Sequence, residues 1–184
     1  MLFNGAILAG GQSKRMGKDK ALLKVKGISM LEQNKQVLQK AGAKNICISR
    51  NDGLKNHIGD QFTNSGPLAG IHAAIAHSND DPLLIIPVDL PLLTSDTLLP
   101  LVRTGIMNRV NCQFHGQNLP LLLFQPRQFI EPLYQTLREG RALSVGKFFS
   151  QFPAKLLPCP TPYTLVNTNT PDEWTAAHLQ YSIS

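Results

Sequence analysis

The feature that most constrains this chain is a regular alternation. Short apolar runs are separated by segments whose apolar residues recur at helical spacing. Residues 83–88, Leu-Leu-Ile-Ile-Pro-Val, are apolar without a break, as expected of a central parallel strand covered by helices on both faces. Residues 3–8, 45–49 and 119–124 are further strand-length runs, and 154–157 and 163–166 are shorter ones. Between them, residues 29–41 place Met30, Leu31, Val37, Leu38 and Ala41 on one helical face. Ser29 with Glu32 forms a capping box at its start, and Gly42 suits its end. Gly66-Pro67 opens a small-residue helix reaching His77, with Pro67 suited to the first helical position. Residues 95–103, 127–137 and 143–149 have helical spacing too, and Thr170-Pro171-Asp172-Glu173 caps a last helix. Strand and helix in alternation predict an α/β fold, a mostly parallel sheet with helices on both faces.

Composition limits the alternatives. A length of 184 residues suits one domain, and 42% hydrophobic against 16% charged residues excludes a long disordered tail, a collagen-like repeat and a coiled coil. The longest apolar stretch, residues 82–88, falls far short of the roughly 18 residues a membrane span requires. No basic segment precedes the first apolar run, so no secretory signal is read. Cys47, Cys112 and Cys159 are widely spaced and form no CxxC pair, which predicts reduced, buried thiols and a cytoplasmic protein. Charge is uneven. Residues 1–55 hold 11 of the 18 lysines and arginines against three acids, while the rest of the chain carries seven against nine. A basic first third suits a polyanionic ligand, although a solvated basic surface gives the same count. With 7% aromatic residues and no zinc-finger or RNP-like pattern, the sequence argues against nucleic acid as that ligand.

In open α/β sheets, ligands bind beyond the carboxyl ends of the strands. The first such segment runs Leu8-Ala9-Gly10-Gly11-Gln12-Ser13-Lys14-Arg15-Met16-Gly17-Lys18-Asp19-Lys20. Its glycines free the backbone to turn N–H groups toward phosphate oxygens, and Arg15, Lys18 and Lys20 add charge. Neither the GxxxxGK[ST] nor the GxGxxG spacing is present. A flexible basic turn is the plain alternative. At the end of the 83–88 run stands Asp89, followed by Leu90-Pro91. A carboxylate there can hold Mg²⁺ against nucleotide phosphates, since that ion takes only one or two protein carboxylates; a turn residue before proline is the alternative. Asn51 and Asp60 lie at the same edge, either as contacts to a base or ribose or as partners of loop backbone. Asn167-Thr168-Asn169-Thr170-Pro171 sets two amides ahead of the last helix. The histidines show no zinc spacing, and no GxSxG elbow exists.

The glycine-rich segment from Leu8 to Lys20, Gly66-Pro67-Leu68-Ala69-Gly70, Asp89-Leu90-Pro91 and Asn167-Thr168-Asn169-Thr170-Pro171 occur in that order. Together they resemble the molybdenum cofactor guanylyltransferases of the nucleotidyltransferase superfamily. The first motif is shared with sugar-phosphate nucleotidyltransferases and cytidylyltransferases, whereas GPLAG with the Asn-x-Asn-Thr-Pro ending is more specific. The resemblance implies a Rossmann-like single domain of nucleotidyltransferase type, with residues 1–110 mainly binding nucleotide and 111–184 mainly binding acceptor. It implies transfer of GMP from GTP to the terminal phosphate of molybdopterin with Mg²⁺ as cofactor. Leu8, Ala9, Gly10, Gly11, Lys20, Asn51, Asp60 and Asp89 would then belong to the nucleotide site. Arg15, Lys20 and Asp89 would act in the transfer, Asp89 would hold the metal, and Asn167 and Asn169 would face the acceptor. Leu119 stands before Pro120 where relatives commonly carry a polar residue.

Two other readings stay open on sequence alone: a related transferase using CTP or another phosphate acceptor, and a nucleotide-binding module that transfers nothing. A monomer is expected, with transient contacts to cofactor-biosynthesis proteins and molybdoenzyme chaperones, and without a membrane.

Overall fold

The computed structural model describes residues 2–10, 19–25, 27–62, 65–141 and 143–168. An unpredicted pair of short strands, the second and third, interrupts the alternation after the first strand, and it then holds to the fifth: β1 (Asn4–Leu8), β2 (Lys24–Val25), β3 (Ile28–Ser29), α1 (Met30–Lys40), β4 (Ile46–Ser49), α2 (Pro67–His77) and β5 (Leu83–Pro87). Then follow α3 (Ser95–Asn108), β6 (Cys112–Phe114), β7 (Leu121–Leu123), α4 (Ile130–Arg138), α5 (Val145–Phe149) and β8 (Lys155–Leu157). Six strands form one sheet in the order β4-β1-β5-β7-β6-β8, and β2 pairs with β3 in a separate hairpin. β1 runs parallel to β4 and β5, and β6 runs parallel to β8. β7 alone is reversed, antiparallel to both β5 and β6. The strand read as central and parallel therefore has one parallel and one antiparallel neighbour.

Alternation along the strands splits the core into two. Leu84 and Ile86 of β5 pack with Leu38 of α1 and Leu98 and Leu101 of α3. Leu83 and Ile85 pack on the opposite face with Ile71 of α2, Leu133 of α4 and Phe148 of α5. Each such side chain, fully removed from water, contributes roughly 1.5–3 kcal/mol.

Several boundaries differ from the sequence reading, each for a local reason. Ser29 caps α1 by accepting from the Glu32 N–H at 3.2 Å, but the Glu32 carboxylate pairs with Lys35 instead of closing the box. The third long helix continues past residue 103 to Asn108. Gly105 does not stop it, because its bare Cα lets α3 lie against Leu122 of β7: a Cβ there would stand 1.9 Å from Leu122 Cδ2. Residues 163–166 do not extend a sheet. A 3-10 turn, Pro162–Leu165, occupies this stretch, and the Thr164 hydroxyl donates back to the Thr161 carbonyl at 2.7 Å. The cysteines are free, but only Cys112 is buried; Cys47 and Cys159 are intermediate. Burial pushes the Cys47 thiol up to about 11, which keeps it protonated and inert near neutrality. No helix among the described residues is long and apolar enough to cross a membrane. The last predicted helix lies outside the described residues.

Candidate nucleotide site

The carboxyl edge of the β4-β1-β5 half of the sheet gathers the residues singled out by sequence. At the end of β1, the Leu8 carbonyl accepts from Val88 N–H at 3.1 Å, and Ala9 N–H donates to the Ser49 carbonyl at 2.9 Å. The three strand ends are thereby fixed to one another just where the glycine-rich segment departs. Gly10 lies beside Asp60 and Ser49: a Cβ on it would be in ordinary contact, 3.8 Å, with Asp60 Oδ2 and the Ser49 carbonyl.

Past the described gap, Asp19 caps the 3-10 turn Lys20–Leu22 by accepting from Ala21 N–H at 3.0 Å. That turn directs Lys20 at Asp89, with Nζ 3.5 Å from Oδ2. The side chains are 15% and 22% exposed, so this cation and this carboxylate face one another at a site still open to solvent. Asp89 is held through its backbone. Thr168 N–H donates to its carbonyl at 3.1 Å, which sets Asn167 beside it in sequence. From α1, Asn34 Nδ2 donates to the Val88 carbonyl at 3.1 Å and Gln33 Nε2 to the Pro91 carbonyl at 2.6 Å.

Asn51 and Asp60 meet each other. Asn51 Oδ1 accepts from Asp60 N–H at 2.6 Å, and Asn51 Nδ2 donates to Asp60 Oδ2 at 3.2 Å. Ser49 Oγ donates to the other carboxylate oxygen at 3.2 Å. Burial pushes the Asp60 carboxyl above its ordinary value, against the pull of the Asn51 and Ser49 hydrogen bonds. The partner-of-backbone role and the site position thus coexist in Asn51. Pro67 stands at the first position of α2, and Gly66 before it has φ +70° and ψ −162°, a conformation open to glycine alone. Gly70 packs on the same place: a Cβ would stand 2.6 Å from Ser49 Oγ.

Leu8, Ala9, Gly10, Lys20, Asn51, Asp60, Asp89 and Asn167 are therefore all placed at or beside one sheet edge; Gly11, Arg15 and Asn169 lie outside the described residues. Sequence reasoning assigned no role to Arg50, Asp19, Asn34, Gln33 or Ser49.

No group of three or more metal-ligating side chains occurs among the described residues. The donor set fits Mg²⁺ rather than zinc: one partly open carboxylate, Asp89, leaves the remaining positions to phosphate and water oxygens.

A mixed sheet with a glycine-rich segment after its first strand and an aspartate after β5 has the fold of solved nucleotidyltransferases. The likeness extends to whole chains. Molybdopterin-guanine dinucleotide biosynthesis protein A from Archaeoglobus fulgidus superposes with a TM-score of 0.78 at 20% identity, covering 100% of both chains. The 2-C-methyl-D-erythritol 4-phosphate cytidylyltransferase of Thermus thermophilus gives 0.75 at 13% identity, covering 99% of this chain and 100% of the other. In sequence, the MobA-like NTP transferase domain matches residues 5–158. The molybdenum cofactor guanylyltransferase of Xanthomonas euvesicatoria pv. vesicatoria is 34% identical over 176 residues, 94% of this chain and 92% of the relative. The chain belongs to the MobA-like NTP transferase family, among the molybdenum cofactor guanylyltransferases.

Proposed function

We propose that this protein transfers GMP from GTP to the terminal phosphate of molybdopterin, releasing pyrophosphate, with Mg²⁺ as cofactor. The observation that carries the reading is the Lys20–Asp89 contact at the carboxyl edge of the sheet, in a chain of this family. An acceptor phosphate oxygen attacks the α-phosphorus in line. One P–O bond forms as the bond to the β-phosphate breaks, and the electron pair leaves with pyrophosphate. The acceptor is already an anion near neutral pH, so no strong base is required. The protein's task is to align two anions and offset the charge on the leaving group. The amides at Gly10 and Gly11, with Arg15 and Lys20, supply positive charge for this purpose. Mg²⁺ held on Asp89 would polarise the α-phosphate. Leu8, Ala9, Asn51 and Asp60 complete the nucleotide side, and Asn167 and Asn169 the acceptor side. Residues 1–110 then serve mainly the nucleotide and 111–184 mainly the acceptor. On this reading the protein works as a cytoplasmic monomer that hands its product over through transient contacts with cofactor-biosynthesis proteins and molybdoenzyme chaperones.

Pyrophosphate release with Mg²⁺ and a molybdopterin-type acceptor, compared for GTP, CTP, ATP and UTP, tests the proposal. Release with GTP is expected. Release with CTP instead would reassign the nucleotide, and binding of GTP without release would leave a module that transfers nothing.

A further inference from the structure

The residue that ties the two loops of this site together is Arg50, the first residue beyond β4. Its side chain is 11% exposed, and its guanidinium reaches three carboxylate oxygens. Nη1 donates to Asp19 Oδ1 at 3.1 Å. Nη2 donates to Asp19 Oδ2 in a shorter contact. Nε donates to Asp52 Oδ2 at 2.6 Å. Asp52 is braced from its far side by His57 Nδ1 at 2.8 Å and by Leu54 N–H at 3.2 Å. The backbone agrees: Arg50 N–H donates to the Ile58 carbonyl at 2.9 Å, closing the 51–57 excursion onto β4.

A planar guanidinium that engages both oxygens of one carboxylate fixes that carboxylate's orientation as well as its place. Asp19 Oδ1 is the same atom that caps the turn beginning at Lys20. Lys20 in turn faces Asp89. Hydrogen bonding from Arg50 also holds the Asp19 carboxyl below its ordinary value.

We propose that Arg50 is a positioning residue for nucleotide transfer: by gripping Asp19 and Asp52 together it fixes the turn that aims Lys20, and joins the Lys20 loop to the loop carrying Asn51. This rests on the reading of Lys20 as a transfer-site cation. Among the described residues, the side-chain hydrogen bonds of Arg50 go to Asp19 and Asp52, so it acts on Lys20 through Asp19. Lysine in its place keeps the charge but cannot engage both Asp19 oxygens while holding Asp52.

The test is a double-mutant cycle on the full chain, following pyrophosphate release with GTP, Mg²⁺ and a molybdopterin-type acceptor. Thermal unfolding of each variant runs alongside. Arg50→Lys should lower kcat about ten-fold or more, since small misplacement of a catalytic group is costly. It should do so with a much smaller change in KM for GTP, and Asp19→Asn should reproduce the effect from the other side of the fork. In a Lys20→Ala background, adding Arg50→Lys should cost less than about two-fold, because residues acting through one group are not additive. Full additivity, or a normal kcat for both Arg50→Lys and Asp19→Asn, overturns the inference. A wild-type protein that releases no pyrophosphate with any nucleotide overturns the transfer reading and this inference together. Wild-type turnover with unaffected variants overturns this inference alone.

Discussion

At the scale of single residues, Lys20 and Asp89 carry the sharpest predictions. If Lys20 offsets charge on the departing pyrophosphate, Lys20→Ala should cost about 2–4 kcal/mol of transition-state stabilisation, the loss expected on removing one oxyanion donor. Steady-state turnover reads this, and near-normal turnover would remove Lys20 from the mechanism. Asp89→Asn keeps the shape but removes the negative charge that faces Lys20 and weakens a hard-cation ligand, so the Mg²⁺ titration of activity should move to higher concentration. Both residues were legible in the sequence because each lies in a short motif at a strand end. Arg50 and Asn34 were not. Their decisive partners lie 31 and 54 residues away, and no local spacing marks a side chain whose purpose is to hold a distant backbone or carboxylate.

Among the elements, α2 and α3 behave unlike ordinary surface helices. In α2, His72 is buried between Phe62 and Tyr134, with ring centroids 5.7 and 6.2 Å away. Neither of its nitrogens has a hydrogen-bond partner among the described residues. Burial lowers its pKa below the ordinary 6.5. Between the folded and unfolded values the unfolded chain binds more protons. The stability His72 contributes is therefore complete above about pH 6.5 and is lost as pH falls toward the folded value. Asp19 and Asp52 are lowered carboxyls, whose contribution is lost only as pH falls below the ordinary 3.8. Urea midpoints measured from pH 7.5 downward should fall more steeply for wild type than for His72→Leu. Parallel curves would mean that the ring finds a partner when charged. In α3, Gly105→Ala should destabilise by about 1–3 kcal/mol through overpacking. The new methyl meets the buried Leu122 and, at 3.0 Å, the Val110 carbonyl. Leu122→Ala should cost less in the Gly105→Ala background than alone, because the space it leaves takes up the new methyl. The helices and long strands were legible from periodicity. β6 has three residues and little pattern to show, and the run at 163–166 was as apolar as a strand yet was claimed by Pro162 and the threonine hydroxyls.

For the whole molecule, the strand order turns an uneven charge count into geometry. The basic first third supplies β1, α1 and β4 at one flank of the sheet, and of its cations Lys20 and Arg50 stand at the carboxyl edge. Attraction between exposed charges is screened over about 10 Å at 0.1 M salt. The association rate of a fluorescent GTP analogue, followed by stopped flow, should drop several-fold from low to physiological ionic strength, with dissociation changing less. A salt-independent rate would place those cations away from the ligand's approach. Strand direction, by contrast, was not legible, because whether β7 runs with or against β5 depends on neighbours distant in sequence.

That single reversed strand has a consequence for how such a protein can diversify. In the β5–β7 ladder Ile85 lies opposite Leu121, so the chain enters β7 at the edge where β5 leaves for Asp89, and residues 115–120 form a hairpin connection on that same rim. A hairpin returns to its starting point, and lengthening it costs only slowly growing closure entropy. The stretch holding Leu119 can therefore be exchanged for a longer or more polar one while Gly10, Lys20 and Asp89 keep their places. Evolution, or a protein engineer, has here a connection free to vary in length beside a rim held fixed by the strand ends.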